Sequence, residues 1–278
     1  MTLSSIYATK LCEELNYKKI PVDPEEIAEL KGIEVKEDNA EGYTGMLLVV
    51  DGEAMISVKR SIGEASKKRF TIAHEVGHYT IPGHVSGERT IFQCSDTDLN
   101  SFNKIIGKDK EFEANVFASE LLLPENHFKK NVQCKDLNKN TLDNLCLEYE
   151  TSLTATAIRF VTFRPEYALV YSEGSRIRWF NAGKDFGCYL DVKRGSLLQR
   201  ESLAFNFFKG AELPTELEEV PSCAWINDYK DVYQVKELSL GSRKYNYVLS
   251  FIYVEKHDED DDEYGDYNEL DGNLTFRR

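Results

Sequence analysis

Two histidines four residues apart, with a glutamate directly after the first, restrict this 278-residue chain more than any other feature: they stand in RFTIAHEVGH, Arg69 to His78. The pattern from Glu64 to about Ile81 is helical and ends at Pro82-Gly83. Residues at i and i+4 of a helix stack on one face, so the imidazoles of His74 and His78 can converge on one ion while Glu75, turned by about 100°, lies beside it. An ion held by three protein ligands keeps a fourth position for water and lowers its pKa to around 7, and a neighbouring carboxylate can then take the proton. That residue set points to Zn2+ and to hydrolysis of a carbonyl compound. Gly77 adds a packing constraint: glycine inside a helix costs roughly 1 kcal/mol relative to alanine, which implies another element lying very close there.

The third ligand has three candidates. His84 would complete the longer three-histidine pattern of metzincin peptidases, but that pattern needs glycine where Ile81 stands and a methionine turn after the motif. Met1, Met46 and Met55 all precede it, so His84 reads as a surface or substrate-side histidine. Glu111 and Glu113 lie in EFEANVFASELLLP, a second helical run from about Lys110 to Leu123 that Pro124 closes. Glu111 shares a face with Ala114, Asn115 and Ala118, small enough for two helices to approach closely, whereas Glu113 is rotated from it by about 200° and cannot serve with it. Glu111 is the favoured ligand, with Glu113 and His84 as alternatives. Asn115, one turn on, is placed to orient a ligand by hydrogen bonding.

The two runs together, Arg69 to His78 and Glu111 to Pro124, closely resemble the ImmA/IrrE family of metallo-endopeptidases, in which an R-F-T-x-A-H-E-x-G-H helix accompanies an E-x-x-A-N-x-F-A-x-x-L-L-M-P helix. Leu123 replaces the usual methionine, a conservative apolar exchange. The resemblance covers residues 1 to about 130. It implies a gluzincin-like zinc fold with His74, His78 and Glu111 as metal ligands and Glu75 as general base. It also implies a regulatory endopeptidase whose protein substrate is a helix-turn-helix transcriptional repressor.

Around these motifs the pattern predicts an α+β chain: a gluzincin-like domain of helices with a small mixed sheet (1–130), a helix-turn-helix-like region (131–165), a β-rich α/β domain (166–256) and an acidic solvated segment (257–278). Asp23 caps a short helix that begins at Pro24. Strands are expected over Ile33 to Lys36, Gly45 to Val50 and Ala54 to Val58, with Asp51-Gly52 as a hairpin turn and 83–108 as a polar loop. Two helices fill 136–164, broken at Glu150-Thr151. After Pro165 the segments YALVYS, RIRWFN, CYLDV, VYQVKELSL and YNYVLSFIYV read as strands, with a helix near Leu197 to Phe208. Trp179, Phe180 and Trp225 read as core aromatics.

The six scattered cysteines form no C-x-x-C pair and read as reduced thiols; no stretch reads as a membrane span or signal peptide, which points to the cytoplasm. The net charge of −14, nine of whose acidic residues lie between Asp258 and Asp271, opposes direct nucleic-acid binding. The competing reading is a catalytically weak transcription or anti-repressor factor that uses the zinc fold for partner binding; for DNA binding by the helix pair at 136–164, the stretch TSLTATAIRFVTFR offers only Arg159 and Arg164 as basic residues and an apolar stripe that reads as core. For catalysis, the strand Ala54 to Val58 is the expected sheet edge for an extended substrate, and Tyr79, His84 and Arg69 are the candidates to steady an oxyanion.

Overall fold

The computed structural model describes residues 2–39, 41–99, 109–227 and 233–256; the acidic segment expected at 257–278 lies outside them. Helix α1 (Leu3–Glu14) is capped by Thr2, and α2 (Pro24–Leu30) by Asp23, whose side chain accepts the amides of Glu25 and Glu26. The chain then forms β1 (Ile33–Asp38), β2 (Gly45–Val50) and β3 (Glu53–Lys59). Asp51 and Gly52 both adopt positive φ, 52° and 87°, as the tight hairpin between β2 and β3 requires. Helix α3 (Ala65–Thr80) carries the HEVGH segment.

The expected polar loop after α3 contains two further elements, β4 (Arg89–Cys94) and α4 (Asp96–Leu99). They precede α5 (Asp109–Leu122). The first sheet has the order β1-β3-β2-β4, with β1 and β3 parallel and the other pairs antiparallel. Strand β3 is therefore interior, paired on both sides, and cannot be the edge that an extended substrate joins. The outer strand beside the motif helix is β4, which among the described residues pairs only with β2.

Ile33, Leu47, Val49, Ile56 and Val58 of this sheet meet Ile72, Ala73 and Val76 of α3 and Phe117, Ala118 and Leu121 of α5 in one buried core. Burial of the valine, leucine, isoleucine and phenylalanine side chains among them contributes about 1.5–3 kcal/mol each, which holds α3 between the sheet and α5. The two helices approach closely at Gly77: a Cβ there would lie 3.0 Å from Cδ1 of Phe117.

Pro124 ends α5 and starts α6 (Glu125–Val132), a helix not read from the sequence. Helices α7 (Lys139–Tyr149) and α8 (Leu153–Phe163) follow, separated by Glu150 in the left-handed region at φ 52° and by Ser152, which caps α8. Arg159 of α8 reaches back to α5, donating to the carbonyl of Leu123 at 3.0 Å and to Glu120 Oε2 at 2.5 Å.

The second sheet combines β5 (Tyr167–Glu173), β6 (Arg176–Ala182), β7 (Glu218–Val220), β8 (Tyr233–Ser242) and β9 (Tyr247–Lys256) in the antiparallel order β6-β5-β9-β8-β7. One face, through Leu169, Leu238 and Phe251, shares a core with Phe128, Tyr149 and Phe160 of the middle helices. The other packs on α9 (Leu203–Phe208) and Trp225. The CYLDV segment is not a strand. It makes one isolated bridge, Leu190 to Ile226, because Leu190 and Val192 are drawn into the core beside Trp225 instead of extending a ladder. Helix α9 is likewise shorter than the Leu197 to Phe208 expectation. Trp225 is core and Trp179 is half-buried, but Phe180 is 39% exposed. All six cysteines are free thiols, and among the described residues no helix is long and apolar enough to cross a membrane.

Gly45, at the start of β2, sets how close α3 lies to the sheet: a Cβ there would fall 2.3 Å from Thr71 Cγ2 and 2.9 Å from Glu75 Oε1. Gly45→Ala is therefore expected to lower stability by about 1–3 kcal/mol, the usual range for overpacking, measured by urea denaturation at neutral pH.

Candidate metal centre

The buried side of α3 runs from Thr71 through His78, and His74, Glu75 and His78 have no solvent exposure. Helix α5 crosses this face and presents Glu111 from its first turn. The three expected ligands converge: His74 Nε2 lies 3.2 Å from Glu111 Oε2, His78 Nε2 lies 3.5 Å from Glu111 Oε1, and the two Nε2 atoms are 3.1 Å apart.

Hydrogen bonding decides what His74 offers. Asn115 donates through Nδ2 to the carbonyl of Asp98 at 2.8 Å, so its Oδ1 is the acceptor that faces His74 Nδ1 at 2.9 Å. His74 then carries its proton on Nδ1 and turns the Nε2 lone pair toward Glu111. A carboxylate and imidazole lone pairs this close repel one another unless a proton or a cation lies among them. Tetrahedral ligands about 2.0–2.1 Å from zinc would stand roughly 3.3–3.4 Å apart, close to the spacing seen, so the donor set fits such an ion.

Beside this trio both oxygens of Glu75 are buried without a hydrogen bond of regular geometry. Burial pushes its carboxyl up to about 7, tempered by His74, the Cys94 thiol and the backbone of Leu47. His74, Glu75 and Cys94 form a second close group that shares His74 with the first. Burial lowers His78 to about 4. Burial opposes charge on His74 and on Glu111 as well, but their mutual contacts win, holding His74 above the ordinary imidazole value and Glu111 well below the usual carboxylate range.

The alternatives to Glu111 occupy other places. His84, only 2% exposed, sets its Nδ1 3.0 Å from Nδ1 of His78, on the side of that ring away from Glu111, and its Nε2 lies 2.9 Å from Glu113 Oε2. Neither His84 nor Glu113 joins the group of ligand atoms that His74, His78 and Glu111 form. None of the expected oxyanion groups faces it either. Arg69 donates to the carbonyl of Val22 at 2.5 Å and pairs with Glu150 at 3.0 Å, Tyr79 lines a separate cavity with Tyr7 and Lys10, and His84 stands behind His78.

Two neighbours were not read from the sequence, Cys94 and Phe92, whose ring stacks on His78 with centroids 4.1 Å apart. The signal was the short run RTIFQC, which looked like part of a polar loop because its outer residues are solvated.

Residues 28–160 match the peptidase family model described as the IrrE N-terminal-like domain. No curated protein matches the chain. Among ten solved chains that do is a Mycobacterium tuberculosis transcriptional regulator, 13% identical, with a TM-score of 0.55 over 91% of this chain and 88% of that one. At that identity the likeness is one of fold.

Glu75 also imposes a pH signature on the ion-free protein. Its carboxyl titrates near 7 when folded against an ordinary 4.5, so the folded state binds the extra proton between those values and Glu75 costs stability as pH rises through them. At roughly 1.4 kcal/mol per tenfold change in proton affinity, Glu75→Gln should spare the ion-free protein a loss on the order of 2–3 kcal/mol between pH 4.5 and 7.5, read from denaturation curves at both pH values. Parallel curves for both proteins would contradict this account of the site.

Proposed function

We propose that this chain, whose residues 28–160 match the IrrE N-terminal-like peptidase domain family, is a zinc-dependent endopeptidase that acts on a protein regulator. The observation that carries the reading is the convergence of His74, His78 and Glu111 beside the buried carboxyl of Glu75, which has no hydrogen bond of regular geometry. Two imidazoles and one carboxylate form the ligand set of catalytic zinc, and the ion they would hold supplies Lewis acidity toward water and a peptide carbonyl.

The remaining steps belong to the chain itself. An extended segment of the substrate pairs along the outer side of β4, whose Cys94 end adjoins Glu75. Glu75 accepts the proton of the attacking water on a carboxylate oxygen and returns it to the nitrogen of the departing amine, completing hydrolysis without a covalent enzyme intermediate. Burial of Glu75 keeps bulk water from competing for that proton. Asn115 holds His74 in register, and Phe92 covers the ring of His78.

In this reading residues 1–130 hold the chemistry, 131–165 form the helical linker and 166–256 dock the substrate or sense a signal. The substrate class, a helix-turn-helix regulator in the cytoplasm, rests on the family resemblance. The like-folded Mycobacterium tuberculosis protein, described as a transcriptional regulator, is in keeping with such a setting.

The DNA-binding form of the competing reading requires free basic residues on α8 or at its end. Arg159 is committed to Glu120 and Leu123, and Arg164 to Glu166 and to the carbonyls of Val132 and Lys135. Titration of duplex DNA at two salt concentrations is expected to show no tight, salt-sensitive binding.

Glu75→Gln is expected to retain one zinc per chain, measured by elemental analysis, while cleavage of a helix-turn-helix regulator followed on gels falls by at least about a hundredfold. Equal cleavage by both proteins would overturn the proposed role of Glu75.

A further inference from the structure

Asn115 explains how His74 is oriented, and the structure supplies a different device for His78. His78 Nδ1 faces His84 Nδ1 at 3.0 Å, and two facing ring nitrogens can bond only if one carries the proton and the other does not. The far side of His84 settles which. Its Nε2 lies 2.9 Å from Glu113 Oε2, and an ionised carboxylate only accepts, so the His84 proton is on Nε2 and its Nδ1 is a bare acceptor. His78 must then donate from Nδ1, which leaves its Nε2 lone pair turned toward Glu111 and His74. We propose that Glu113 and His84 form a positioning relay that fixes the tautomer and ring orientation of His78 and so strengthens metal binding at the centre; this rests on the metal-site reading above.

The surroundings are built for that task. His84 follows the end of α3, just after Gly83 at φ 83°, and is 2% exposed. Lys110 of α5 clamps the same turn, donating to the carbonyls of Gly83 at 2.7 Å and His84 at 3.1 Å. The N-terminal end of α5 thus supplies Glu111 to the centre, and Lys110 and Glu113 to the brace behind it. The ring of Phe92 packs against both His78 and His84, limiting rotation of either imidazole. The relay begins at a fully buried ligand and ends on a carboxylate that is 45% exposed, so a charge that the interior could not hold unpaired acts on the ligand through His84.

The test compares zinc affinity, by competition with a chromophoric chelator, and the visible spectrum of the cobalt-loaded protein for the full chain and its variants. His84→Leu removes the acceptor and is expected to weaken zinc binding about 10–100-fold and shift the cobalt spectrum. His84→Asn restores an amide oxygen where Nδ1 stood and should recover most of that loss. Glu113→Leu should weaken binding by an intermediate factor, whereas Glu113→Gln, whose amide oxygen still accepts from Nε2, should stay near wild type.

Melting of the ion-free proteins separates this role from a packing role: the relay requires that His84→Asn and His84→Leu differ in zinc affinity at similar ion-free stability. If His84→Leu does not fold, Glu113→Leu at its half-exposed position carries the test. Zinc affinity within about twofold of wild type for Glu113→Leu and His84→Leu, or equal loss in His84→Asn and His84→Leu, overturns the relay while a wild-type protein that binds zinc and loses it on His74→Ala leaves the metal site standing. A wild-type protein that takes up no stoichiometric zinc overturns both.

Discussion

The contact between Gly77 of α3 and Phe117 of α5 is the constraint on which the centre depends. With no side chain at Gly77, the aromatic ring lies where a Cβ would crowd it, and the two helix axes come close enough for a carboxylate on one to reach imidazoles on the other. On its opposite side α3 is pressed against β2 at Gly45 by the same kind of omission. A helix held on both flanks by glycine contacts has little freedom to shift. The buried polar groups between those flanks therefore sit at fixed separations, although bringing them out of water is costly.

Burial turns those fixed separations into chemistry. In water His74, His78 and Glu111 would exchange solvent partners freely. In this interior each hydrogen bond on the outer side of a ring decides what the inner side presents. Asn115 acts on His74 from α5, and His84 lies against His78 from the turn after α3. Glu75 is treated differently: it is buried with no regular partner, which leaves its carboxylate available for a proton. One helix thus carries groups held for two purposes, according to whether their neighbours satisfy them.

The second sheet is joined to the centre through shared packing. Phe128, Tyr149 and Phe160 of the middle helices lie in one core with Leu169, Leu238 and Phe251, and the buried pair Arg159–Glu120 ties α8 to α5, the helix that carries Glu111. Breaking such a pair by removing one partner leaves a charge stranded away from water, so this connection resists sliding as well as separation.

Local chemistry in the sequence determined a good deal by itself: the helical spacing of His74 and His78, the cap of Asp23, the helix break at Glu150-Thr151, the hairpin at Asp51-Gly52, the stops at Pro82 and Pro124, and the face that Glu111 shares with Asn115. These follow from dihedral preferences and side-chain periodicity within a few residues. Tertiary structure alone decided that β3 is interior and β4 outermost, because strand order depends on which hydrophobic faces meet. It decided that Leu190 and Val192 fill a core instead of a ladder. It also placed His84 and Glu113 behind His78, although they stand 29 residues apart and one of them sits on a turn with no periodicity to follow. A hydrogen bond between such groups is written in no local pattern, and exists only because α5 folds across the end of α3.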